Sequence, residues 1–202
     1  MPPHNHAKLW QLISPMLPIG AYQYSQGLEH AVQCGWIGDR TDAMKWISEL
    51  LHHTIAHIDL PVIHRAHRAW RSKDTADLRY WDDVCRSHRE TRELRDEEDA
   101  MGIALMRLAA ELEQPIPKWR PGYVVAFSVF AVNAGISELD ALSGYAWAWC
   151  ENQVLGATKL IPLGHTEGQL VLRDLIEHIP MAVDEALACS DEDIGNSAPG
   201  LA

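Results

Sequence analysis

The chain has 202 residues and a net charge of −11, because 28 acidic residues outnumber 17 basic ones. Apolar residues make up 47% of it, which is enough to bury a core and excludes a disordered chain. The acidic balance argues against binding to nucleic acid or to an anionic membrane surface, since both require excess positive charge. The longest nearly unbroken apolar run, residues 123–132, is too short to span a bilayer.

The spacing of apolar residues is helical along almost the whole chain, and no stretch alternates as a half-buried strand does. A first helix is predicted over residues 7–14, where Pro15 stops it. A proline-rich loop then leads to Gly20. A second helix is predicted over residues 25–34, with Gly35 as the left-handed residue that ends it.

Three helices are predicted next. Thr41 or Asp42 is expected to cap the first of them. Pro61 is expected to interrupt that helix and to begin another, since proline is tolerated in a first turn. Asp74 or Thr75 is expected to cap the third.

Residues 86–112 are rich in charge and are predicted to form one long helix. Its buried stripe would consist of Leu94, Met101, Leu105 and Leu108. Four pairs of opposite charge are spaced four residues apart: Arg86–Glu90, Arg89–Glu93, Arg92–Asp96 and Arg95–Asp99. They predict either a solvated face, with a few tenths of a kcal/mol per pair, or a polar docking surface or buried ion network. The spacing alone favours the solvated face.

After a proline-rich break, residues 123–132 are apolar on every side, which predicts a helix buried in the middle of the fold. Gly135 is expected to end it. The Ser-Glu-Leu-Asp sequence at residues 137–140 predicts a capping box for a helix that reaches about residue 160.

A second capping box at residues 166–169 predicts a helix that extends to Ile179. A proline separates it from a last short helix that ends near Ala188. The sequence therefore predicts an all-α protein, a single-domain bundle of roughly eight to ten helices around a buried central helix. Residues 1–190 would form this domain, and residues 191–202 would be a disordered tail.

Five of the eleven histidines lie between residues 52 and 67. His53 and His57 are four residues apart, and His64 and His67 are three apart. At such spacings imidazoles on a helix can share a metal ion. The alternative hypothesis is therefore a helical metal-binding protein or metalloenzyme that uses residues His52–His67. We favour boundary histidines and no metal site, because a proline separates the two pairs and no cysteine completes a tetrahedral set.

The sequence contains no P-loop, nucleophile-elbow or HExxH motif, so no catalytic residue is assigned. Glu29 could act as an acid or base, a helix cap or an interface anchor. Lys159 could complement a helix dipole or contact a partner. The N-terminus lacks an apolar signal segment and the four cysteines form no CxxC pair, so we expect a cytoplasmic protein with reduced thiols.

Four motifs occur in order along the chain. They are Leu12-x-Ser14-Pro15-x-Leu17-Pro18-Ile19-Gly20-x-Tyr22-x-x-Ser25-x-Gly27-Leu28-Glu29; Arg89-Glu90-Thr91-Arg92-Glu93-Leu94-Arg95 with Glu97-Glu98 and Met101-Gly102; Glu151-x-x-Val154 through Lys159-Leu160-Ile161-Pro162-Leu163-Gly164; and Asp193-Ile194-Gly195. Together they resemble the urease accessory protein F family, UreF. The resemblance covers nearly the whole chain.

The resemblance implies an all-α protein that matures urease and is not itself an enzyme. Such a protein is a homodimer in its complex and bridges accessory protein D, called H in some organisms, and the accessory GTPase, G. It gates GTP hydrolysis and assists nickel insertion into the urease apoprotein. No cofactor would be bound tightly, since nickel is handled by the complex.

The resemblance also implies which residues bind partners or form interfaces. They are Pro18, Gly20, Tyr22, Ser25, Glu29, Glu90, Arg92, Glu93 and Lys159. For Glu90, Arg92 and Glu93, the resemblance favours a buried network or an interface over a solvated face. It makes Lys159 a contact for the GTPase.

Overall fold

The computed structural model describes residues 3–21 and 26–195, with side chains from His6 onward. The described chain contains ten α-helices and no β-strand. They are α1 (Pro3–Leu12), α2 (Leu28–Gln33), α3 (Arg40–Leu50), α4 (Asp59–Ser72), α5 (Thr75–Ser87), α6 (Arg92–Glu111), α7 (Tyr123–Ala134), α8 (Glu138–Leu160), α9 (His165–Ile176) and α10 (His178–Ala188). A π-helical turn, Leu51–Ile55, links α3 to α4, and a 3₁₀ turn, Asp191–Asp193, follows α10. The predicted all-α fold is confirmed. None of the described helices is both long enough and apolar enough to cross a membrane.

Helix α7 lies at the centre of the fold, because its sequence is apolar on every side. It packs against α1, α4, α5, α6 and α8. Phe127 and Phe130 are among the largest fully buried side chains of the described residues. Gly135, with a φ of 72°, ends the helix in the left-handed conformation that favours glycine. The predicted buried central helix and its end at Gly135 are both confirmed.

Side-chain caps fix the start of several helices. Asp74 caps α5 and Ser137 caps α8, as predicted. The predicted cap of α3 is wrong. Asp39 holds that position, and its Oδ1 accepts the N–H groups of Thr41 at 2.8 Å and Asp42 at 3.0 Å. Thr41 and Asp42 therefore lie within the first turn of α3 and donate their N–H groups to the cap.

The charged segment 86–112 does not form one helix, contrary to the prediction. Helix α5 continues to Ser87, and α6 begins at Arg92. Thr91 caps α6 by accepting the N–H of Leu94 at 3.2 Å. The four residues between the helices form a turn, so their side chains can point into the protein instead of following a helix face.

Two prolines lie inside helices instead of separating them. Pro61 and Pro180 each occupy the third position of their helices, which begin at Asp59 and His178. A proline fits there because its missing N–H has no helical partner in the first turn. The prediction that Pro61 lies in the first turn of a new helix is confirmed, although that helix begins two residues before the proline. Pro180 does not separate α9 from α10, because α9 already ends at Ile176, three residues earlier than predicted.

Two N-terminal boundaries also differ from the prediction. Helix α1 begins and ends earlier than the predicted 7–14, at Pro3–Leu12. Helix α2 begins at Leu28 instead of residue 25, because Gly27 precedes it with a left-handed φ of 88°. The predicted stop at Gly35 agrees with its φ of 74°.

The second predicted capping box is wrong by two residues. Gly164, and not Thr166, precedes α9, and Glu167 accepts the Gly164 N–H at 3.1 Å. The structure describes the predicted tail as far as Gly195. The 3₁₀ turn lies in that part, and Ile194 is buried against the main core.

Candidate functional site

A cleft with a volume of about 1040 Å³ is lined by residues of α2, α3, α6 and α8 and of the turns that join the helices. Its floor reaches Tyr123 at the start of α7 and Asp59 at the start of α4. Ala21 and Gln26 also line it. The cleft is as large as the pockets that hold small ligands or short peptide segments.

A largely buried arginine lies at the floor of the cleft. Nη2 of Arg89 is 2.8 Å from Oδ1 of Asp59 and 2.8 Å from Oε2 of Glu98. Tyr145 donates its hydroxyl to Oδ2 of Asp59 at 2.6 Å. Burial raises the pKa of the Glu98 carboxyl, and the Arg89 charge opposes that shift. Burial disfavours the charged form of Arg89, but Asp59 and Glu98 hold its pKa above the ordinary value. Arg89 therefore keeps its positive charge although it is largely out of water.

A second carboxyl group, Glu97, faces the cleft beside this cluster. Its Oε1 accepts a hydrogen bond from Nε2 of Gln26 at 2.8 Å, and Oε1 of Gln26 accepts one from Nε1 of Trp149 at 2.7 Å. Only 9% of Glu97 is exposed. Burial raises the pKa of Glu97 to about 7. This carboxyl group therefore changes its charge near neutral pH.

The structure brings three of the sequence-predicted site residues to this cleft. Glu29 on α2, Glu90 in the turn before α6 and Glu93 in the first turn of α6 all line it and are exposed. They come from two parts of the chain that are more than 60 residues apart in sequence. Their convergence creates a negative surface around the opening.

The other predicted site residues lie elsewhere. Arg92 is exposed, with Nε 3.4 Å from Oδ2 of Asp96. Lys159 is exposed in the last turn of α8. Pro18 is exposed in the proline-rich loop, and Gly20 ends that loop with a φ of 77°. Tyr22 and Ser25 lie outside the described residues.

The proline-rich loop is held in shape by hydrogen bonds of its own backbone. The Leu17 N–H donates to the Ser14 carbonyl at 2.9 Å, and the Ile19 N–H donates to the Leu17 carbonyl at 2.8 Å. Ile19 is buried, while the loop prolines remain exposed. Burial raises the pKa of Glu151, which lines a small recess between the loop and α8.

The interpretation of the charged segment needs a correction. A buried ion network exists, but Glu90, Arg92 and Glu93 are exposed and do not form it. Because the helix breaks at residues 88–91, Arg89 turns inward to Asp59 and Glu98 instead of pairing with Glu93. Of the four predicted pairs, only Arg92–Asp96 forms an ion pair among the described residues. Arg86 pairs with Asp99 instead of with Glu90.

The histidine-rich stretch does not form one cluster. His53 is exposed in the π-helical turn, and His57 lies beyond it, so the two do not share an α-helical face. His64 pairs with Glu138, and Nε2 of His67 is 3.1 Å from the Ile136 carbonyl. Burial lowers the pKa of His67. Among the described residues, no three His, Cys, Asp or Glu side chains are placed to hold a metal ion.

Sequence reasoning did not identify Asp59, Glu97 or Glu98 as site residues. One signal was present. Glu98 falls on the apolar stripe predicted from Leu94 and Met101, four residues after one and three before the other. A carboxylate on a buried stripe requires a buried partner. The partner could not be found from spacing, because it lies in a turn that was predicted as helix.

Comparisons with known proteins agree with one another. The family model UreF matches residues 37–176. A urease accessory protein UreF from Chromohalobacter salexigens is 44% identical over 200 residues, which cover 97% of this chain and 87% of that protein. Proteins of the same name from Alkalilimnicola ehrlichii and Teredinibacter turnerae are 43% and 42% identical, over 96% of this chain and 88% and 90% of theirs.

Proposed function

The chain belongs to the UreF family of urease accessory proteins, and we propose that it is a maturation chaperone that assembles the nickel-insertion complex. In this proposal it bridges accessory protein D, or H, and the accessory GTPase. It also gates GTP hydrolysis while nickel is delivered to the urease apoprotein. The observation that carries the proposal is the 42–44% identity to proteins named urease accessory protein UreF over 96–97% of the chain.

The acidic cleft supports a role in protein–protein recognition. Its opening carries exposed carboxylates from two distant parts of the chain, and its floor is fixed by buried ion pairs. Such a site offers a rigid base with a charged rim, an arrangement that favours specificity and rapid association with a basic partner. Lys159 lies at the end of α8 and is proposed as a contact for the GTPase.

The proposed role is not catalytic. The chain would act by holding its partners in one geometry, as a homodimer in the complex, and nickel would be cargo of the complex. We propose the cytoplasm as its compartment. The four cysteines, all within the described residues, are free thiols, which agrees with a reducing environment.

Reconstitution from purified components tests the proposal. The chain is mixed with accessory protein D, the accessory GTPase, urease apoprotein, GTP and nickel. Size-exclusion chromatography should show one complex that contains all three accessory proteins. The rate of GTP hydrolysis should change when the chain is added, and urease activity should appear. Unchanged hydrolysis with intact assembly would reduce the role to that of a scaffold, and separate elution of the three proteins would contradict the proposal.

A further inference from the structure

The cleft carries a large excess of negative charge. Seven of its lining residues are acidic, and one, Arg89, is basic. Arg89 is already held at 2.8 Å by both Asp59 and Glu98, so it does not neutralise the remaining acids. The exposed acids that line the cleft are Glu29, Glu90, Glu93 and Asp96. A cation that enters the cleft is therefore attracted by both its rim and its floor.

Unpartnered polar atoms are concentrated in the same cleft. Six buried side-chain nitrogen or oxygen atoms of the described residues lack a hydrogen-bond partner, and four of the six belong to residues that line it. They are Trp46 Nε1, Thr54 Oγ1, Gln153 Oε1 and Asp59 Oδ1, of which the last is ion-paired with Nη2 of Arg89 at 2.8 Å. Gln153 is only 3% exposed. A buried acceptor without a donor is costly. Oε1 of Gln153 can therefore accept a hydrogen bond from a ligand in the cleft.

Aromatic side chains form part of the wall. The rings of Trp36 and Trp46 lie with their centroids 6.4 Å apart, and Trp149 and Tyr123 face the same space. Aromatic faces attract cations, and a guanidinium group in particular stacks on them. The wall therefore suits a cation that is also flat and weakly hydrated.

We propose that the cleft binds an arginine side chain presented by a partner protein of the maturation complex. The inference rests on the proposed function and names the chemistry of its contact. The guanidinium group would lie between the aromatic wall and the carboxylate of Glu97. Its N–H groups would donate hydrogen bonds to the carboxylate of Glu97 and to Oε1 of Gln153. The exposed acids at the rim would attract the basic segment that carries this arginine.

A guanidinium group fits these observations better than the other cations. It presents five donors in a planar fork, which matches several acceptors at different points of one cleft. An ammonium group is a compact and strongly hydrated charge that gains less from an aromatic wall. A divalent metal ion requires several converging ligands, and no such group of three is present among the described residues.

Titration of the full-length chain with N-acetyl-L-arginine amide tests the proposal. The nitrogen-15 resonances of the Trp46 and Trp149 indoles and of the Gln153 amide report binding. N-acetyl-L-citrulline amide is the neutral control of the same shape, and the lysine analogue and Ni²⁺ are titrated in parallel. Glu97→Gln removes the central charge but keeps an acceptor for Gln26. Glu49→Gln is the matched variant, because Glu49 is exposed and does not line the cleft.

We expect saturable shifts with the arginine amide and none with the citrulline amide. Glu97→Gln should weaken binding about tenfold, as expected for the loss of one charge-assisted hydrogen bond, and Glu49→Gln should leave it unchanged. Equal binding of citrulline or lysine amide, no dependence on Glu97, or no saturable shift would overturn the proposal. Stronger binding of Ni²⁺ at the same resonances would overturn it in favour of a metal ion. If the wild-type chain still assembles the accessory complex, each of these failures concerns the arginine contact alone.

Discussion

Glu98 of α6 caps a helix to which it does not belong, since its Oε1 accepts the backbone N–H of Val124 at 2.9 Å. Val124 is the second residue of α7, whose N-cap, Gly122, offers no side chain. The other carboxylate oxygen of Glu98 accepts Nε of Arg89 at 3.1 Å and Nη2 at 2.8 Å. One buried side chain thus connects the central helix of the fold to the floor of the cleft.

Arg89→Met should destabilise the protein strongly. The substitution leaves Asp59 and Glu98 buried without their cation, and breaking a buried pair in this way costs about 3–5 kcal/mol. Arg92→Met is the matched control. The Arg92 side chain is 86% exposed, so its loss should change the free energy of unfolding by less than about 0.5 kcal/mol. Urea unfolding followed by circular dichroism measures both. Equal losses for the two variants would show that the Arg89 cluster does not stabilise the fold.

Glu97 should make the protein less stable as the pH rises. Its pKa is about 7 in the folded protein and 4.5 ordinarily, so folding favours the protonated form. This contribution is complete below the ordinary pKa and is lost as the pH rises through 7, by roughly 3 kcal/mol at most. Glu97→Gln should remove that part of the pH dependence and leave the variant more stable than the wild type at about pH 8.

The measurement for Glu97 is the free energy of unfolding from about pH 5 to pH 8 for both proteins. His67 works in the opposite direction, because burial lowers its pKa and its contribution is lost as the pH falls. It is present in both proteins, so it cancels in the difference. Parallel curves for wild type and Glu97→Gln would mean that the carboxyl group does not titrate in this range.

Gly102→Ala should disturb the contact between α6 and α7. A Cβ at this position would lie 2.3 Å from the carbonyl oxygen of Pro121 and 2.9 Å from the N of Tyr123. Backbone atoms cannot move aside as a flexible side chain can, so we expect a loss of about 1–3 kcal/mol despite the better helix propensity of alanine.

Gly38→Ala is the control for Gly102. The nearest atom to its Cβ would be Oδ2 of Asp42 at 3.8 Å, an ordinary contact. Thermal unfolding should separate the two variants, with Gly38→Ala close to the wild type. If Gly102→Ala unfolds at the wild-type temperature, the two helices are not as close as the structure places them.

Glu29→Ala and Lys159→Ala should affect assembly and not folding. Both side chains are exposed, so the helical circular dichroism signal and the free energy of unfolding should stay within about 0.5 kcal/mol of the wild type. Urease activation in the reconstituted system should fall for each variant. Lys45→Ala, at another exposed helix position, is the control. Loss of helicity in either test variant would indicate a structural role instead.

The helices of the fold could be predicted well where one physical signal dominates. Residues 123–132 are apolar on every side, and Ser137 has its acidic partner three residues later, so α7 and the start of α8 agreed with prediction. Pro61 and Pro180 lie in the first turns of their helices, where proline is tolerated, so each helix begins two residues before its proline. Asp39 caps α3 instead of Thr41 or Asp42, because its side chain accepts the N–H groups of both.

The site was harder to predict because it depends on residues far apart in the chain. Arg89, Asp59 and Glu98 meet only after α4 and α6 pack around α7, and no spacing rule connects them. Treating residues 86–112 as one helix placed Arg89 opposite Glu93 on an exposed face. The Thr91 cap was the available signal for the break. A break before Thr91 would have predicted that Arg89 lies in a turn, where its side chain can point inward.

Urease activity in cells is the decisive measurement of the proposed role. Cells that carry a urease operon without its F gene are supplied with nickel and with this chain, and activity is measured per amount of urease protein. We expect that the chain restores activity and that Glu29→Ala and Lys159→Ala restore less at equal expression. Activity no higher than with an empty vector, while the folded chain accumulates in the same cells, would contradict it.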